Sequence, residues 1–310
     1  MSLRNSLILV LTAFIWGVAF VAQREGGSET GPYTFICIRY IIGGLVLLPV
    51  IKILDKAGIS AETKPKTKED KRLLLKGGIA CGTCLGVASI FQQVGMYLGT
   101  TAGKAGFLTA CYIILVPILG LFLKKKCGIN IWFAVAIAVA GLYLLCINGK
   151  LEMQKSDILV LCCSLIFACH ILTIDNFINK GVNGVRMSCI QFLWASLFGL
   201  FPMFFIELHS SFKELVPALA VAFSGKALIS ILYAGVMSSG VAYTLQIIGQ
   251  KDVNPTVASL IMSLESVFSV LAGWVILHES MSVKEILGCV LIFAAIVLAQ
   301  LPKKNKSVTV

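Results

Sequence analysis

Residues 227–248 read ALISILYAGVMSSGVAYTLQII, and residues 256–277 read TVASLIMSLESVFSVLAGWVIL. Each run matches the length of about 20 residues that an α-helix needs to cross the hydrocarbon core of a bilayer. Neither run alternates polar and apolar residues as a membrane β-strand does. Because backbone groups in lipid must be hydrogen-bonded within the segment, both runs predict transmembrane helices.

Comparable apolar runs recur along the whole chain. Of its 310 residues, 58% are hydrophobic and only 13% are charged, whereas about 25% of the residues in a typical soluble domain are charged. A soluble fold of this length could not bury so much apolar surface, so we predict an all-α polytopic membrane protein with ten transmembrane helices. The runs lie at roughly 6–22, 34–53, 73–97, 104–123, 129–147, 157–174, 187–206, 227–248, 256–277 and 285–301.

The chain is strongly basic, with 26 Lys and Arg against 15 Asp and Glu. Basic chains often bind nucleic acid, but here the basic residues lie in short loops between apolar runs, so no nucleic-acid partner is expected. With the N-terminus inside, most of these residues fall in cytoplasmic loops, as the positive-inside rule requires. We therefore predict a protein of the cell membrane with both termini in the cytoplasm.

An internal repeat is visible when the first half is shifted by about 153 positions. This shift, with small local offsets, aligns Gly82 with Gly235, Gln93 with Gln246, Ala105 with Ala258, Gly120 with Gly273, Tyr112 with Glu265, Arg39 with Gln191 and Trp16 with Phe167. Residues 1–150 and 151–310 are thus predicted to be two five-helix repeats. Because five is odd, the second repeat enters the membrane from the opposite side, which places a binding site between the halves near the midplane.

Glu265 is the most prominent polar residue within an apolar run. It lies ten residues into the ninth run, which is about 15 Å deep at ~1.5 Å per residue, and Tyr112 is expected at a similar depth. Ionisable residues at such depth are costly and often functional. Glu265 could bind and release a proton or pair with a cationic substrate group, or it could only bridge helices.

Gln93 and Gln246 each share a helix face with an aromatic residue, Gln93 with Tyr97 at i+4 and Gln246 with Tyr243 at i−3. An amide beside a phenol can bind a polar ligand through hydrogen bonds and ring contact, although hydrogen bonding between helices explains the same pattern. Trp16, in the middle of the first run, could line the same cavity or pack in the core.

Three further polar residues are candidates for roles along the transport path. Arg39 could contact an anionic substrate group or act as a gate, or it could extend its guanidinium to the interface or cap a neighbouring helix end. Lys104, at the start of the fourth run, is a possible gate residue or an interface anchor. His170 could relay protons or be a hydrogen-bonded structural residue.

The third run also carries Gly78, Gly82 and Gly86 at intervals of four residues, a spacing that predicts close packing of helices.

Signatures of soluble catalysis are missing from the sequence: it has no Walker-type loop, no H-E-x-x-H and no G-x-S-x-G motif. Cys81 and Cys84 form a C-x-x-C within an apolar helix but lack the second pair typical of zinc sites. We expect no catalytic residue, no metal and no cofactor. Energy for any transport would come from an ion or substrate gradient, with the proton as the ion that Glu265 or His170 could carry.

Short motifs recur in a fixed order along the chain. They are AFIWGVAF at 13–20, IRY at 38–40, GKAGFLT at 103–109, LVP at 115–117, ASL at 258–260, SLESVF at 263–268 and LHE at 277–279. In order and spacing these stretches resemble EamA-type members of the drug/metabolite transporter superfamily. Two positions differ from the usual pattern: Ser266 stands where the family usually has Pro after the Glu, and Phe167 where the second repeat often has Trp.

This resemblance implies a ten-helix carrier with a central cavity between inverted repeats. It further implies that a small metabolite, amino acid or drug-like solute crosses the membrane by alternating access, often as export. Two other classes stay open on the residues alone. A channel or accessory scaffold would be favoured by a filter or charged ring, and an integral-membrane enzyme or lipid-handling protein by clustered acids, His or metal ligands at one face. Nothing in the sequence specifies an oligomeric state.

Overall fold

The computed structural model describes residues 3–58, 63–125, 128–146, 153–276 and 282–300. Within these ranges every regular element is helical. The α-helices are α1 (Leu3–Thr30), α2 (Pro32–Lys56), α3 (Lys68–Tyr97), α4 (Ala102–Ala110), α5 (Tyr112–Phe122), α6 (Ile129–Cys146), α7 (Lys155–Ile178), α8 (Gly184–Pro202), α9 (Leu215–Ala222), α10 (Gly225–Leu232), α11 (Thr244–Gly249), α12 (Pro255–Met262), α13 (Leu264–Ile276) and α14 (Val283–Gln300). Two π-helical segments, Met203–Glu207 and Tyr233–Tyr243, continue α8 and join α10 to α11.

Eight continuous helical stretches in the described residues are long and apolar enough to cross a membrane. They are Leu3–Thr30, Pro32–Lys56, Lys68–Tyr97, Ala102–Phe122, Lys155–Ile178, Gly184–Glu207, Gly225–Gly249 and Pro255–Ile276. Two shorter apolar helical stretches, Ile129–Leu144 and Ile286–Ala299, lie within α6 and α14. The prediction of an all-α multi-pass membrane protein is confirmed. The proposed boundary at 150/151, the motif at 277–279 and the C-terminus lie outside the described residues.

Helix α1 is longer than its apolar run, which ends near residue 22. It continues through Arg24 and Glu25 to Thr30 because Gly26 and Gly27 allow close packing there. A Cβ atom at Gly26 would lie 2.3 Å from the Phe35 ring, and one at Gly27 would lie 2.2 Å from Gln93 Nε2. Hydropathy alone locates the lipid-facing part of a helix and misses an extension that protein contacts stabilise.

The helix ends gather at two sides of the bundle, here called the Leu3 side and the Thr30 side after the two ends of α1. On the Leu3 side, Asn5 Nδ2 donates to the Lys251 carbonyl at 2.8 Å. On the Thr30 side, the Glu207 carboxylate accepts hydrogen bonds from the backbone N–H groups of Tyr33 and Thr34 at 2.8 Å each. Glu207 thereby caps the start of α2, where the helix dipole favours a negative charge.

Helices from the two halves of the sequence pack against each other. Helix α1 packs on α13, α3 on α7 and α8, α2 on α8, and α6 on α14. The glycines of α3 face α8, as their spacing predicts: a Cβ at Gly82 would lie 2.7 Å from the Gln191 carbonyl oxygen, and one at Gly86 2.6 Å from the Phe198 ring. The backbones of α3 and α8 are therefore in direct contact.

Two of the spans are broken near their centres. Helix α4 ends at Ala110 and α5 begins at Tyr112, with Cys111 as a turn between them. Helix α12 ends at Met262 and α13 begins at Leu264. These breaks bring the positive dipole ends of α5 and α13 into the middle of the bundle, where broken helices commonly form binding sites in carriers.

Candidate functional site

A small cavity lies in the middle of the bundle, between helices of the first and second halves. Its volume is about 30 Å³, enough for one or two water molecules. It is lined by Trp16, Phe20, Gln23, Arg39, Gln92, Thr109, Tyr112, Phe167, Ile171, Ser238, Tyr243, Gln246, Met262 and Glu265. The structure thus brings six of the predicted site residues to one cavity, namely Trp16, Arg39, Tyr112, Tyr243, Gln246 and Glu265.

Glu265 and Tyr112 meet across the cavity. The Tyr112 hydroxyl donates a hydrogen bond of 2.9 Å to Glu265 Oε1, and each side chain is only 3% exposed. Both residues stand in the first turn of a helix that begins at a break, Tyr112 in α5 and Glu265 in α13. The carboxylate is therefore held at a helix N-terminus, where the dipole stabilises negative charge.

Arg39 supplies the opposite charge. Its guanidinium donates to Gln23 Oε1 at 2.5 Å and to the Tyr40 hydroxyl at 3.1 Å, and it lies 4.7 Å from the centroid of the Tyr40 ring. Arg39 is 3% exposed, and its Nε has no hydrogen-bond partner. Among the described residues, neither Arg39 nor Glu265 forms an ion pair. A cavity with a buried cation and a buried carboxylate is suited to a ligand that carries complementary charges.

Aromatic rings line part of the same cavity. The Trp16 and Tyr243 ring centroids are 4.6 Å apart. Both rings line the cavity together with Arg39 and Glu265. These rings lower the polarity of the cavity lining, which strengthens any charge interaction made inside the cavity.

The two glutamines that the repeat aligns have different surroundings. Gln246 lines the cavity and its buried Oε1 has no hydrogen-bond partner, so it can accept a bond from a ligand. Gln93 does not line the cavity, because its Nε2 donates to the Gln23 carbonyl at 2.8 Å and its side chain packs against Gly27. Gln93 therefore joins α3 to α1, the structural alternative for this residue.

Tyr97 lies outside the cavity, at the end of α3, where it is 53% exposed. The i+4 spacing from Gln93 places both residues on one helix face but moves Tyr97 a full turn towards the Thr30 side. The structure therefore places Tyr97 outside the central cavity, because helical spacing defines a face and not a depth.

Lys104 also lies away from the cavity, on the Thr30 side. Its Nζ is 2.5 Å from Asp157 Oδ2, and Asp157 accepts a further bond of 2.9 Å from the Thr100 hydroxyl. The Asp157 side chain is 1% exposed, whereas Lys104 is 32% exposed. A comparable pair joins Lys125 to Asp175 on the Leu3 side. In both cases a lysine at one end of the α4–α5 stretch pairs with a buried aspartate of α7.

His170 is fully buried beside the cavity and does not line it. Its ring is 6.0 Å from the Tyr243 ring and its Nε2 is 3.2 Å from Gln191 Oε1. The Nδ1 atom has no hydrogen-bond partner. His170 is thus separated from the cavity by one aromatic ring.

No site role was predicted for Gln92 and Phe167, which line the cavity, or for Ser266, which does not. Gln92 donates from Nε2 to the Thr109 hydroxyl at 3.0 Å. The repeat alignment pointed to the adjacent Gln93 and gave no reason to select Gln92. Phe167 could have been found, because the repeat aligns it with Trp16. Ser266, the departure from the family pattern, donates to the Gly106 carbonyl at 3.1 Å and so joins α13 to α4.

A family model described as the EamA-like transporter family matches residues 4–147 and again residues 154–301. The chain belongs to the EamA-like transporter family. Since EamA belongs to the drug/metabolite transporter superfamily, the resemblance seen in the short motifs is confirmed. The protein is a multi-pass membrane transporter of a small molecule.

Two curated relatives match this EamA-like transporter along most of their length. One, from Archaeoglobus fulgidus, is 26% identical over 300 residues, covering 94% of this chain and 84% of that protein, and is described as an uncharacterized transporter. The other, the uncharacterized transporter YoaV of Bacillus subtilis, is 25% identical over 295 residues, covering 93% and 94%. A solved crystal structure shares the fold with a TM-score of 0.73, covering 97% of each chain at 17% identity.

Proposed function

We propose that this EamA-like transporter is a secondary carrier that moves a small zwitterionic solute, such as an amino acid, across the cell membrane by alternating access, in the direction of export. One observation carries the proposal: Arg39 and Glu265 are buried in one cavity, and neither has a charged partner among the described residues. A solute with an ammonium group near Glu265 and a carboxylate near Arg39 would satisfy both.

The charges also restrict what the cavity can bind. Burying a charge without a partner costs several kcal/mol, so a neutral or singly charged solute would leave at least one group uncompensated. The Trp16, Phe167 and Tyr243 rings offer apolar contact to the rest of the solute, and Gln246 offers a hydrogen-bond acceptor. The site therefore fits a compact zwitterion better than a lipid-like or polyanionic compound.

Proton coupling follows from the same carboxylate. When no solute is bound, a proton can neutralise Glu265 while Tyr112 holds the carboxyl group in place. A solute ammonium would displace that proton, so each binding event exchanges one for the other. We assign His170 as a second proton-carrying group, because it lies behind Tyr243 with an unpartnered Nδ1.

Alternating access is supported by the closed geometry. The cavity of about 30 Å³ is too small for a metabolite, so solute entry requires the surrounding helices to separate. The pairs Lys104–Asp157 and Lys125–Asp175 tie the α4–α5 stretch to α7 at the two sides of the bundle. We propose that each pair breaks when its own side opens, which makes Lys104 a gate residue.

The proposed architecture is ten transmembrane helices in two inverted five-helix repeats, residues 1–150 and 151–310. It is supported by the two matches of the family model, by the equivalent breaks before Tyr112 and Glu265, and by the two short apolar helices beside the eight long spans. We place the Leu3 side in the cytoplasm because most Lys and Arg lie on that side. In intact cells, Met153→Cys should react with an impermeant maleimide and Lys64→Cys should not. Labelling of both would overturn the inverted arrangement.

The test of function is transport in proteoliposomes. A thermal-shift screen of the purified protein against amino acids and other metabolites first identifies a ligand class, because binding to the folded state raises its stability. Counterflow of the identified solute is then measured for the wild type and for Glu265→Gln. We expect saturable transport that Glu265→Gln abolishes. Ion conductance without saturable transport would indicate a channel, and neither activity with any solute would favour an accessory scaffold.

A further inference from the structure

A second cavity lies on the lipid-facing side of the bundle, between α5 and α7, and we call it the α5–α7 groove. Its volume is about 700 Å³. The lining residues are Leu119, Phe122, Leu123, Lys125, Cys169, Leu172, Thr173, Asn176 and Phe177. The groove shares no residue with the central cavity, so the proposed transport function does not account for it.

The groove is apolar along most of its length and polar at one end, which matches the two parts of an amphiphile. Along α7 it runs from Cys169 to Phe177, which corresponds to about 12 Å at ~1.5 Å per residue. This length approaches one leaflet of the hydrocarbon core, about half of ~30 Å. Its deep part is mainly apolar, with Leu119 and Leu172 as walls, whereas Lys125 and Asn176 lie at the end nearest the Leu3 side.

Positive charge is concentrated at that end. Lys124 and Lys180 are exposed and form no ion pair with a residue that the structure describes. The Lys180 ammonium lies 5.4 Å from the centroid of the Phe177 ring, which lines the groove. Of the acidic residues near this end, Asp175 is engaged by Lys125 and by Asn179. Asp70, which lines a neighbouring pocket together with Lys180, accepts hydrogen bonds from the backbone N–H groups of Lys66 and Thr67. Lys124 lies two residues after the end of α5 and Lys180 two residues after the end of α7, where we expect the lipid headgroups.

We propose that the α5–α7 groove binds one anionic phospholipid, with an acyl chain along Leu119 and Leu172 and the phosphate between Lys124 and Lys180. Basic pockets between transmembrane helices on the cytoplasmic side bind anionic headgroups. The bound lipid holds α5 against α7, the two elements that Lys125 and Asp175 also join. This site goes beyond the transport cycle and does not depend on the identity of the solute.

The test uses the full-length protein in a neutral detergent. Dioleoyl phosphatidylglycerol, dioleoyl phosphatidylcholine and inorganic phosphate are added separately, and unfolding temperature and lipid adducts in native mass spectra are recorded. We expect phosphatidylglycerol to raise the unfolding temperature and form a one-to-one adduct at concentrations where the other two do neither. Because a juxtamembrane Lys contributes about 1 kcal/mol to binding anionic lipid, Lys124→Gln with Lys180→Gln should weaken binding by roughly 30-fold.

A matched control is available on the same side. Lys52→Gln with Lys56→Gln removes the same charge from the exposed end of α2 and should leave phosphatidylglycerol binding unchanged. A second variant, Thr173→Phe, fills the groove without altering charge and should abolish the adduct. The variants' unfolding temperatures without lipid show that they are folded.

Four outcomes would overturn the proposal. Equal effects of phosphatidylcholine would show that the charge does not select the lipid. Equal effects of inorganic phosphate would reduce the site to an anion site. Equal losses in the α2 control would indicate general electrostatic attraction. A dimer that Thr173→Phe disrupts and phosphatidylglycerol does not would assign the groove to a second copy of the chain.

Discussion

We propose that Glu265 binds the ammonium group of the solute and Arg39 its carboxylate. This assignment can be tested by substituting each residue and by removing each charged group of the ligand. Glu265→Gln keeps an acceptor for the Tyr112 hydroxyl, which lies 2.9 Å away, so the substitution removes mainly the charge. Arg39→Gln removes the cation that lines the same cavity. The matching ligand set is an amino acid, its methyl ester without the carboxylate, and its N-acetyl derivative without the ammonium.

The magnitude follows from burial. Losing one partner of a buried, hydrogen-bonded charge pair costs about 2–5 kcal/mol, and Glu265 is only 3% exposed. Since the hydrogen bond from Tyr112 persists, we expect a loss of about 2–3 kcal/mol, or roughly 30- to 150-fold in Kd. This loss should appear for the amino acid and the methyl ester, and the N-acetyl derivative should bind equally well to both proteins.

Arg39→Gln should show the converse pattern, with weaker binding of the amino acid and the N-acetyl derivative and unchanged binding of the ester. Isothermal titration calorimetry at fixed pH provides the Kd values. Tyr112→Phe is the control for a purely positional effect, because loss of one hydrogen bond costs about 1 kcal/mol and should weaken the ester only a few-fold. If Glu265→Gln weakens the N-acetyl derivative as much as the ester, Glu265 does not bind the ammonium and the reasoning fails.

Three further predictions concern the gates and the packing. Lys104→Met should speed backbone hydrogen exchange near residues 98–104 by roughly tenfold, for a loss of about 1.4 kcal/mol, and leave exchange at residues 123–125 unchanged. Lys125→Met should speed exchange at residues 123–125 and leave residues 98–104 unchanged. Equal acceleration at both sides in either variant would refute the proposal of independent gates. Gly82→Leu should destabilise the protein by at least about 1–3 kcal/mol, because even a Cβ atom there would lie 2.7 Å from the Gln191 carbonyl oxygen. The control is Gly103→Ala, whose Cβ would meet no atom within 4 Å, so it should not lower the unfolding temperature. Glu207→Gln weakens three hydrogen bonds of 2.6–2.8 Å at the start of α2 and should cost about 1–2 kcal/mol, measured by the unfolding temperature; an unchanged value would show that the cap is not needed.

Much of the fold could be predicted from the sequence because lipid imposes simple rules. Runs of apolar residues predict helices, and the glycine spacing in α3 predicts close helix packing, for which the structure supplies α8 as the partner. The repeat offset also indicated a pair of residues at one depth, because it aligned Tyr112 with Glu265. The structure joins these two side chains by a hydrogen bond. Residues near a twofold axis meet their own repeat mates, which is the relation we propose for the two halves.

The depth and surroundings of single residues were harder to predict. The turn at Cys111 is preceded by Ala110 and followed by Tyr112, so no Gly or Pro marks it. Gln93 and Gln246 look equivalent in sequence, yet only Gln246 lines the cavity, because the extension of α1 beyond its apolar run brings the Gln23 carbonyl to Gln93. Such differences arise from tertiary contacts that a single helix does not encode.

The position of the break at Cys111 bears on how a carrier avoids opening at both sides together. Lys104 precedes the break and Lys125 follows it, while their partners Asp157 and Asp175 lie near opposite ends of the continuous helix α7. A rigid, unbroken helix in place of α4–α5 would transmit the loss of one ion pair to the other. With a turn between them, α4 can leave α7 while α5 stays attached, or the reverse. In the alternating-access cycle that we propose, the central cavity, lined by Tyr112 just after the turn, would then open to one side while the other side remains closed.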